Sequence, residues 1–240
     1  MRIDKYLCDY GKGTRKEVKQ LLKDGKVSVN GKVIKKADFH VKENEDTVTL
    51  AGEEIIYKKY VYLMMNKPAG YLSATEDKRL PVVTELLDDK YKHYEVFCAG
   101  RLDIDTTGFL LLTNDGEFAH HITSPRHHGF KKYYAKIDGE VTEDDKVKMH
   151  EGITLDDGYT CLPAKLEILS ADGGVSEIYL TIREGKFHQV KRMFEAVGKR
   201  VTSLERVEVG GVELDENLEY GHTRELTEEE YEGIKNQYSE

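Results

Sequence analysis

A polar loop between two glycines, residues 100–108, carries the side chains with the clearest chemical potential in this chain. Arg101, Asp103 and Asp105 lie in it, and the loop leads into the apolar run 109–113. Loops at the ends of buried strands commonly carry function. Two carboxylates about 5–10 Å apart on one substrate can hydrolyse a glycosidic bond, although nothing in the sequence fixes Asp105 in that role. The structural alternative is an Asx turn that only caps a bend before the second glycine.

Other chemistry-bearing residues form no recognisable metal or cofactor motif. The adjacent histidine pairs at 120–121 and 127–128 would rarely converge in tetrahedral geometry. Cys8, Cys98 and Cys161 are too far apart for a CxxC zinc motif or a disulfide framework. The glycines match neither a GxGxxG nor a Walker pattern. We therefore expect no metal and no cofactor.

The composition is that of a highly charged globular protein: 240 residues, 39% hydrophobic and 34% charged, with a formal net charge of −9. No apolar run reaches the roughly 18 residues that a membrane span needs, and no signal-peptide core follows Met1, so we expect a cytoplasmic protein without membrane contact. The charge is unevenly distributed. Residues 1–42 hold 12 Lys and Arg against 5 Asp and Glu, whereas residues 211–240 hold 2 against 10. A basic N-terminal module is typical of nucleic-acid binding, and a solvated basic face is the alternative.

The elements of this module can be read from local signals. Apolar spacing predicts a short helix over residues 1–10, and Thr14 with Glu17 forms a capping-box pattern that starts a second helix. The second helix carries basic residues on one face and ends at Gly25. Residues 26–34 contain an Asn30-Gly31 turn between two short strands, which predicts a β-hairpin. A further strand at 46–50 would complete a unit that ends near residue 57.

This arrangement resembles the S4 RNA-binding module, on the pattern Arg2-x-Asp4-Lys5-x-Leu7, on Thr14-Arg15, and on the segment 25–31. The resemblance implies a domain over residues 1–57 whose basic helix and adjoining loop contact RNA phosphates. The residues implicated are Arg2, Lys5, Arg15, Lys16 and Lys19.

In residues 58–240 the predicted strands and helices do not alternate in βαβ units. Strands are predicted at 60–65, 109–113, 132–137, 164–170, 177–182 and 201–212, and helices at 115–122, 187–197 and 228–236. The fold class predicted for the whole chain is therefore α+β.

The string from Gly100 to Gly116 resembles the signature of the ribosomal RNA pseudouridine synthases, in their RsuA-like branch. The segments 66–70 and 184–194 resemble flanking motifs of the same family, in the same order. The family resemblance implies a catalytic domain over residues 58–240, built on a mixed, largely antiparallel sheet. It also implies an isomerase that turns uridine into pseudouridine in rRNA, a reaction without redox change that requires no cofactor.

The resemblance also assigns roles to residues. Asp103 would be the catalytic carboxylate, Lys191 its cationic partner, and Tyr133 the aromatic that stacks on the flipped uracil. Arg192 would contact RNA, or replace Lys191 if the register is shifted by one, and Arg101 would enter the RNA. Residues expected to line the pocket are Asn66, Lys67, Pro68 and Leu204.

Within the branch, the string from His188 to Met193 is most similar to the small-subunit (16S) enzymes. We therefore expect a monomer that acts on 16S rRNA or on a small-subunit assembly intermediate. Two alternatives remain at this stage: a large-subunit rRNA enzyme of the same branch, and a non-catalytic S4-type protein of ribosome assembly.

Overall fold

The computed structural model describes residues 1–43, 45–55, 58–124 and 129–238, and the chain divides into two compact units. The small unit contains Met1–Val61 with Asp88–Val96, and the large unit contains Tyr62–Leu87 with Phe97–Glu240. The predicted domain boundary after residue 57 falls beside residues 56–57, which lie outside the described residues.

The small unit packs helices on a four-stranded antiparallel sheet of order β2-β1-β3-β4. Its elements are α1 (Ile3–Asp9), α2 (Arg15–Lys23), β1 (Val27–Val29), β2 (Lys32–Val33), β3 (Val48–Leu50), β4 (Glu53–Ile55) and α3 (Asp89–Lys92). The core is formed by one side of α1 and of α2 and by the inner face of the sheet, with Ile3, Leu7, Val18 and Leu22 fully buried.

Short-range signals set the ends of these elements. The Thr14 hydroxyl accepts a hydrogen bond from the backbone N–H of Glu17, and the Glu17 carboxylate accepts one from the N–H of Thr14, so the predicted capping box is confirmed. Asn30 and Gly31 both have positive φ, 49° and 75°, as a two-residue hairpin turn of type I′ requires. Both features are decided within three residues of chain.

The large unit is built on a nine-stranded sheet of order β13-β5-β7-β11-β8-β10-β9, to which β6 and β12 add at β7 and β11. Its strands are β5 (Tyr62–Lys67), β6 (Phe97–Cys98), β7 (Thr107–Thr113), β8 (Lys131–Asp138), β9 (Lys165–Asp172), β10 (Val175–Ile182), β11 (Arg200–Val209), β12 (Val212–Glu213) and β13 (Thr223–Glu225). Its helices are α4 (Gly116–Thr123), α5 (Glu143–Glu151), α6 (Gln189–Ala196) and α7 (Glu228–Gln237), with a 3₁₀ turn at Val83–Leu86.

The ladders of this sheet are antiparallel except where β7 runs parallel to β11 in the described part of the chain. The predicted α+β class with a mixed, largely antiparallel sheet is therefore confirmed. At the parallel pair, Gly108 lies opposite Arg206, and a Cβ atom on Gly108 would come 2.3 Å from the carbonyl oxygen of Arg206. Only glycine permits β7 to start this close to β11, directly after the polar loop.

The described helices include none with the length and apolarity that a membrane crossing requires. One predicted element differs in its start. The helix expected from residue 187 begins at Gln189, because His188 has a left-handed backbone with φ of 49° and cannot continue a helix. Phe187 is consequently left outside α6.

Candidate active site

A cavity of about 80 Å³ opens in the large unit where the polar loop, the strands β8, β10 and β11, and the start of α6 with the segment before it meet. Four residues predicted for the site lie in its wall. The residues lining it are Arg101, Leu102, Asp103, Thr106, Tyr133, Ile182, Gly185, Lys186, His188, Gln189, Val190 and Leu204. Residues separated by up to about a hundred positions in sequence are thus brought to one concave surface.

Lys67 holds the backbone of the loop that carries Asp103. This lysine is fully buried, and its ammonium donates hydrogen bonds to the backbone carbonyls of Pro68 (3.0 Å), Ile104 (3.2 Å) and Thr106 (2.9 Å). Burial lowers the pKa of Lys67 to about 8, and the negative charges of Asp105 and Asp103 offset only part of that effect. Lys67 therefore binds the backbone of the loop and does not line the cavity.

A second set of bonds fixes the same loop at Leu102. The Ser73 hydroxyl donates to the Leu102 carbonyl and accepts from the Leu102 N–H, both at 3.0 Å. The N–H of Gly70 donates to the carbonyl of Ile104 at 2.7 Å. Hydrogen bonds to the backbone of Leu102, Ile104 and Thr106 thus fix the loop on both sides of Asp103, and none of them uses the Asp103 carboxylate.

The Asp103 carboxylate is 27% exposed and faces one lysine. The Lys191 ammonium lies 3.1 Å from Oδ2 of Asp103 and 2.6 Å from Oδ1 of Asp105, so one cation is shared by both carboxylates. Burial lowers the pKa of Lys191, but its hydrogen bonds to Asp105 and Asp103 outweigh that cost and leave the pKa above its ordinary value. Burial raises the pKa of Asp105, but the hydrogen bond from Lys191 and the positive charge of that lysine together outweigh burial and leave the pKa lowered. The predicted pairing of Asp103 with Lys191 is present, with Asp105 as an unpredicted third member.

A partly buried hydrogen-bond network fixes the turn before α6, the helix that carries Lys191. The side chain of Gln189 accepts from the N–H of Lys186 (2.9 Å) and donates to Glu184 (2.8 Å). Glu184 also accepts from the Tyr159 hydroxyl (2.6 Å) and from the N–H of Leu162 (2.9 Å). Sequence reasoning assigned no role to Glu184 or Gln189. The signal that could have found them is two polar residues flanking a glycine-containing turn before an apolar helix.

The predicted aromatic and apolar members of the site lie where the sheet passes the cavity. Tyr133 is on β8, 7% exposed, opposite Leu180 of β10 and Arg206 of β11. Leu204 of β11 is also 7% exposed and lines the same cavity. The ring of Tyr133 and the side chain of Leu204 therefore form an apolar part of the wall that contains Asp103.

His188 adds a titratable ring to this wall. Its Nε2 atom lies 3.7 Å from Oδ1 of Asp103, and its ring stacks on that of Phe187 with 3.8 Å between centroids. No role was predicted for His188 from sequence beyond its place in the motif.

Several predicted residues lie elsewhere. Asn66 donates to the carbonyl of Leu218 at 2.7 Å, and neither it, Lys67 nor Pro68 lines the cavity. Arg192 forms ion pairs with Asp156 and Asp157, the latter at 2.7 Å, and is not part of the lining either. Arg101 does line the cavity and is exposed.

The basic residues predicted for RNA contact in the small unit, Arg2, Lys5, Arg15, Lys16 and Lys19, are all exposed. The guanidinium of Arg2 is engaged by Asp4 at 2.8 Å. Lysines and arginines on the solvent side of α2 are available to phosphates.

The described residues contain no group of three or more His, Cys, Asp or Glu side chains placed to hold a metal ion. The histidines at 127 and 128 lie outside the described residues.

Comparison with known proteins gives consistent results for both units. Residues 61–196 match the family described as RNA pseudouridylate synthase, and residues 1–46 match the S4 domain. The chain is 48% identical to the uncharacterized RNA pseudouridine synthase YtzG of Bacillus subtilis (strain 168), over 96% of each chain. It is 38% identical to the ribosomal small subunit pseudouridine synthase A of Escherichia coli (strain K12), over 96% of this chain and 98% of the relative.

A solved structure is similar over nearly the whole length. A crystal structure of a pseudouridylate synthase superposes with a TM-score of 0.68 at 37% identity, covering 98% of this chain and 99% of the other.

Proposed function

Because this chain belongs to the RNA pseudouridylate synthase family and carries an S4 domain, we propose that it isomerises one uridine of small-subunit (16S) ribosomal RNA, with Asp103 as its catalytic carboxylate. The family membership makes it an RNA-modifying isomerase. Relatives that carry the name ribosomal small subunit pseudouridine synthase A are 38–43% identical over almost the full chain, which supports the small subunit as the source of the substrate.

The observation that carries the role of Asp103 is its place in the cavity wall, on a loop fixed from below and beside the shared cation Lys191. The reaction breaks the bond between N1 of uracil and C1′ of ribose, turns the base, and forms a bond between C5 and C1′. Carbon 5 then loses a proton and N1 gains one, so no atom is lost and no electrons are transferred to another group.

A single carboxylate suffices for this chemistry in either of two ways. It attacks C1′ and forms a covalent sugar intermediate, or it removes a sugar proton so that the base departs by elimination. Both routes use an ionised Asp103, and Lys191 supplies its counter-charge inside a partly closed cavity.

Tyr133 is proposed to stack on the uracil while the base turns, with Leu204 closing the apolar side. Taking a base out of its stack costs about a few kcal/mol, and an aromatic wall offsets part of that cost. A phenol at this place is also suited to the proton transfer at C5.

The RNA partner is supported by the exposed basic residues of α2 and by the S4 match over residues 1–46. We propose residues 1–57 as the module that binds structured rRNA, through Arg15, Lys16 and Lys19. The monomeric state, the cytoplasmic location and the absence of a cofactor stay predictions of the sequence.

The test is to incubate the protein with unmodified 16S and 23S transcripts and with small-subunit assembly particles. Pseudouridine is mapped by carbodiimide-dependent stops of reverse transcription, and the Asp103→Asn variant serves as the control. We expect one new stop in 16S rRNA, free or in particles, that is absent with the variant.

Other outcomes would contradict parts of the proposal. A stop only in 23S rRNA would keep the chemistry and move the substrate to the large subunit. Tight RNA binding without any stop would favour the non-catalytic assembly protein. A stop that persists with Asp103→Asn would remove the assignment of the catalytic residue.

A further inference from the structure

Phe187 is the most exposed large apolar side chain in the described part of the chain, with 73% of its surface open to solvent. It lies between Lys186 and His188, both of which line the cavity, but it does not line the cavity itself. An exposed phenylalanine ring loses the free energy that burial would supply. Its place at the rim of a reactive cavity is therefore the feature to be explained.

The segment around Phe187 is held firmly by its neighbours. The N–H of Lys186 donates to the side chain of Gln189, and an Arg192 guanidinium N–H donates to the carbonyl of Phe187 at 3.4 Å. His188 has the left-handed backbone that separates the segment from α6. The backbone thus fixes the ring of Phe187 outside α6. If α6 began two residues earlier, the ring would lie on a face of the helix.

The ring itself is pre-oriented by His188. The two rings are nearly parallel, 18° apart, with 3.8 Å between their centroids. One face of Phe187 is covered in this way, and the high exposure leaves the other face open. A flat ligand can therefore add to the stack without rearrangement of the protein.

Charge and size restrict what that ligand is. Lys186 is the exposed residue directly before Phe187, and it lines the cavity proposed to receive a uridine. A single exposed ring is far smaller than the apolar patch that a protein partner normally needs. A nucleotide of an RNA strand fits, because every base has a π face and the backbone phosphates favour a cation nearby.

We propose that Phe187 is a stacking platform for the nucleobase adjacent in the RNA to the uridine that enters the cavity, an inference that rests on the function proposed above. When the target uridine leaves its stack, its neighbour loses a stacking partner. Phe187, backed by His188, replaces that partner and so offsets part of the cost of base flipping.

The chain contains no tryptophan, which provides a direct test. Phe187→Trp places a single indole at the proposed platform, and stacking on a base quenches its fluorescence. The matched control is Val147→Trp, at a side chain that is 54% exposed on α5 and does not line the cavity. Titration with unmodified 16S transcript should quench the indole at 187 strongly and the indole at 147 weakly. Equal quenching of both would overturn the proposal.

Activity separates stacking from a merely apolar contact. Phe187→Ala and Phe187→Leu should both lower kcat/KM for pseudouridine formation by about 10- to 100-fold, as expected for loss of one base–aromatic stack. Phe187→Trp should recover most of that loss, and Val147→Ala should have no effect. Full activity of Phe187→Leu would contradict a stacking role, because leucine keeps the apolar surface without the ring.

The two proposals fail in distinguishable ways. Selective quenching at 187 with no pseudouridine formed by the wild-type chain would contradict the proposed function and leave the platform supported. Pseudouridine formed at equal rates by wild type and Phe187→Ala would contradict the platform alone. Circular dichroism melting of each variant verifies folding, since an exposed ring contributes little to the core.

Discussion

Among the lysine–aspartate pairs of the large unit, Lys199–Asp145 and Lys191–Asp103 leave their carboxylates in different situations. Asp145 is 2% exposed and its carboxylate is bound by Lys199 at 2.9 Å and by the N–H of Thr142 at 2.8 Å. Burial raises the pKa of Asp145, but the bonds from Lys199 and Thr142 outweigh burial and leave the pKa lowered. Asp103 is 27% exposed in a cavity wall and faces a lysine that it shares with Asp105.

The comparison indicates which surroundings suit a structural carboxylate such as Asp145 and which suit a reactive one such as Asp103. Asp145 has its hydrogen-bonding capacity taken up by the cap of α5 and by one lysine, so it holds structure and has no open approach. Asp103 has its backbone fixed and its carboxylate partly exposed in the cavity wall beside Lys191, so a sugar carbon can approach it. Fixing the loop through Lys67 and Ser73, and not through the carboxylate itself, is what leaves that approach open.

The largest expected effect is on kcat, and it distinguishes Asp103 from Asp145. Asp103→Asn should lower kcat by at least about 10⁴-fold, because an amide neither attacks C1′ nor removes a proton. RNA affinity should stay within a few-fold, since the amide has the same shape. Single-turnover rates and filter binding with the mapped rRNA fragment measure both quantities. Loss of folding in the variant, or a rate near that of wild type, would contradict the comparison.

The next effect separates the two lysines. Lys191→Met should lower kcat by about 10²- to 10³-fold, as is typical when one preorganised electrostatic partner is removed. Lys191→Arg should restore part of the rate, since it keeps the charge but changes the geometry. Lys199→Met is the matched control and should leave the rate per folded molecule unchanged. A similar loss of rate in both lysine variants would show that Lys191 acts only through folding.

The third effect is on stability. Asp145→Asn should lower the free energy of unfolding by about 3 kcal/mol, because it leaves the ammonium of Lys199 nearly buried without its counter-charge. Urea unfolding of wild type and variant measures this difference, and kcat at saturating RNA should not change. If Asp105→Asn, whose carboxylate is 67% exposed, costs as much stability as Asp145→Asn, the distinction between the two centres is wrong.

The smallest effect concerns Lys67, which binds carbonyls and no carboxylate. Its pKa is about 8 in the folded chain and 10.5 in the unfolded chain, so the unfolded chain holds the extra proton between these values. The free energy of unfolding should therefore rise with pH in this window, by at most about 1.4 kcal/mol per pH unit. Urea unfolding of wild type and Lys67→Met from pH 7.5 to 10 gives the difference curve. Parallel curves would show that Lys67 keeps its proton on folding.

Local features of the fold were predictable because their causes are local. The capping box at Thr14 and the hairpin turn at Asn30 are each decided by side chains within about three residues. The start of α6 was predicted two residues early, because no local pattern signals the left-handed backbone of His188.

The candidate site was predictable only in part, and only through family resemblance. That resemblance selected Asp103, Tyr133 and Lys191 from a chain with many Asp, Tyr and Lys residues, and the structure brings these three to one cavity region. It also selected Lys67 for the cavity wall, whereas that lysine lies beneath the loop. The order of residues in a motif does not determine which side of a loop a neighbouring strand will contact.

The sequence by itself determined the start of α2, the hairpin turn at Asn30, the contrast in charge between the two ends of the chain and the membership of a family. The tertiary structure alone decided that Lys191 is shared by two carboxylates 86 and 88 residues away, that Lys67 binds the loop that carries Asp103, and that Phe187 is exposed beside the cavity. The physical reason is range. Hydrogen bonds within a turn depend on adjacent residues, whereas contacts across the sheet depend on strand order and on the parallel pairing of β7 with β11.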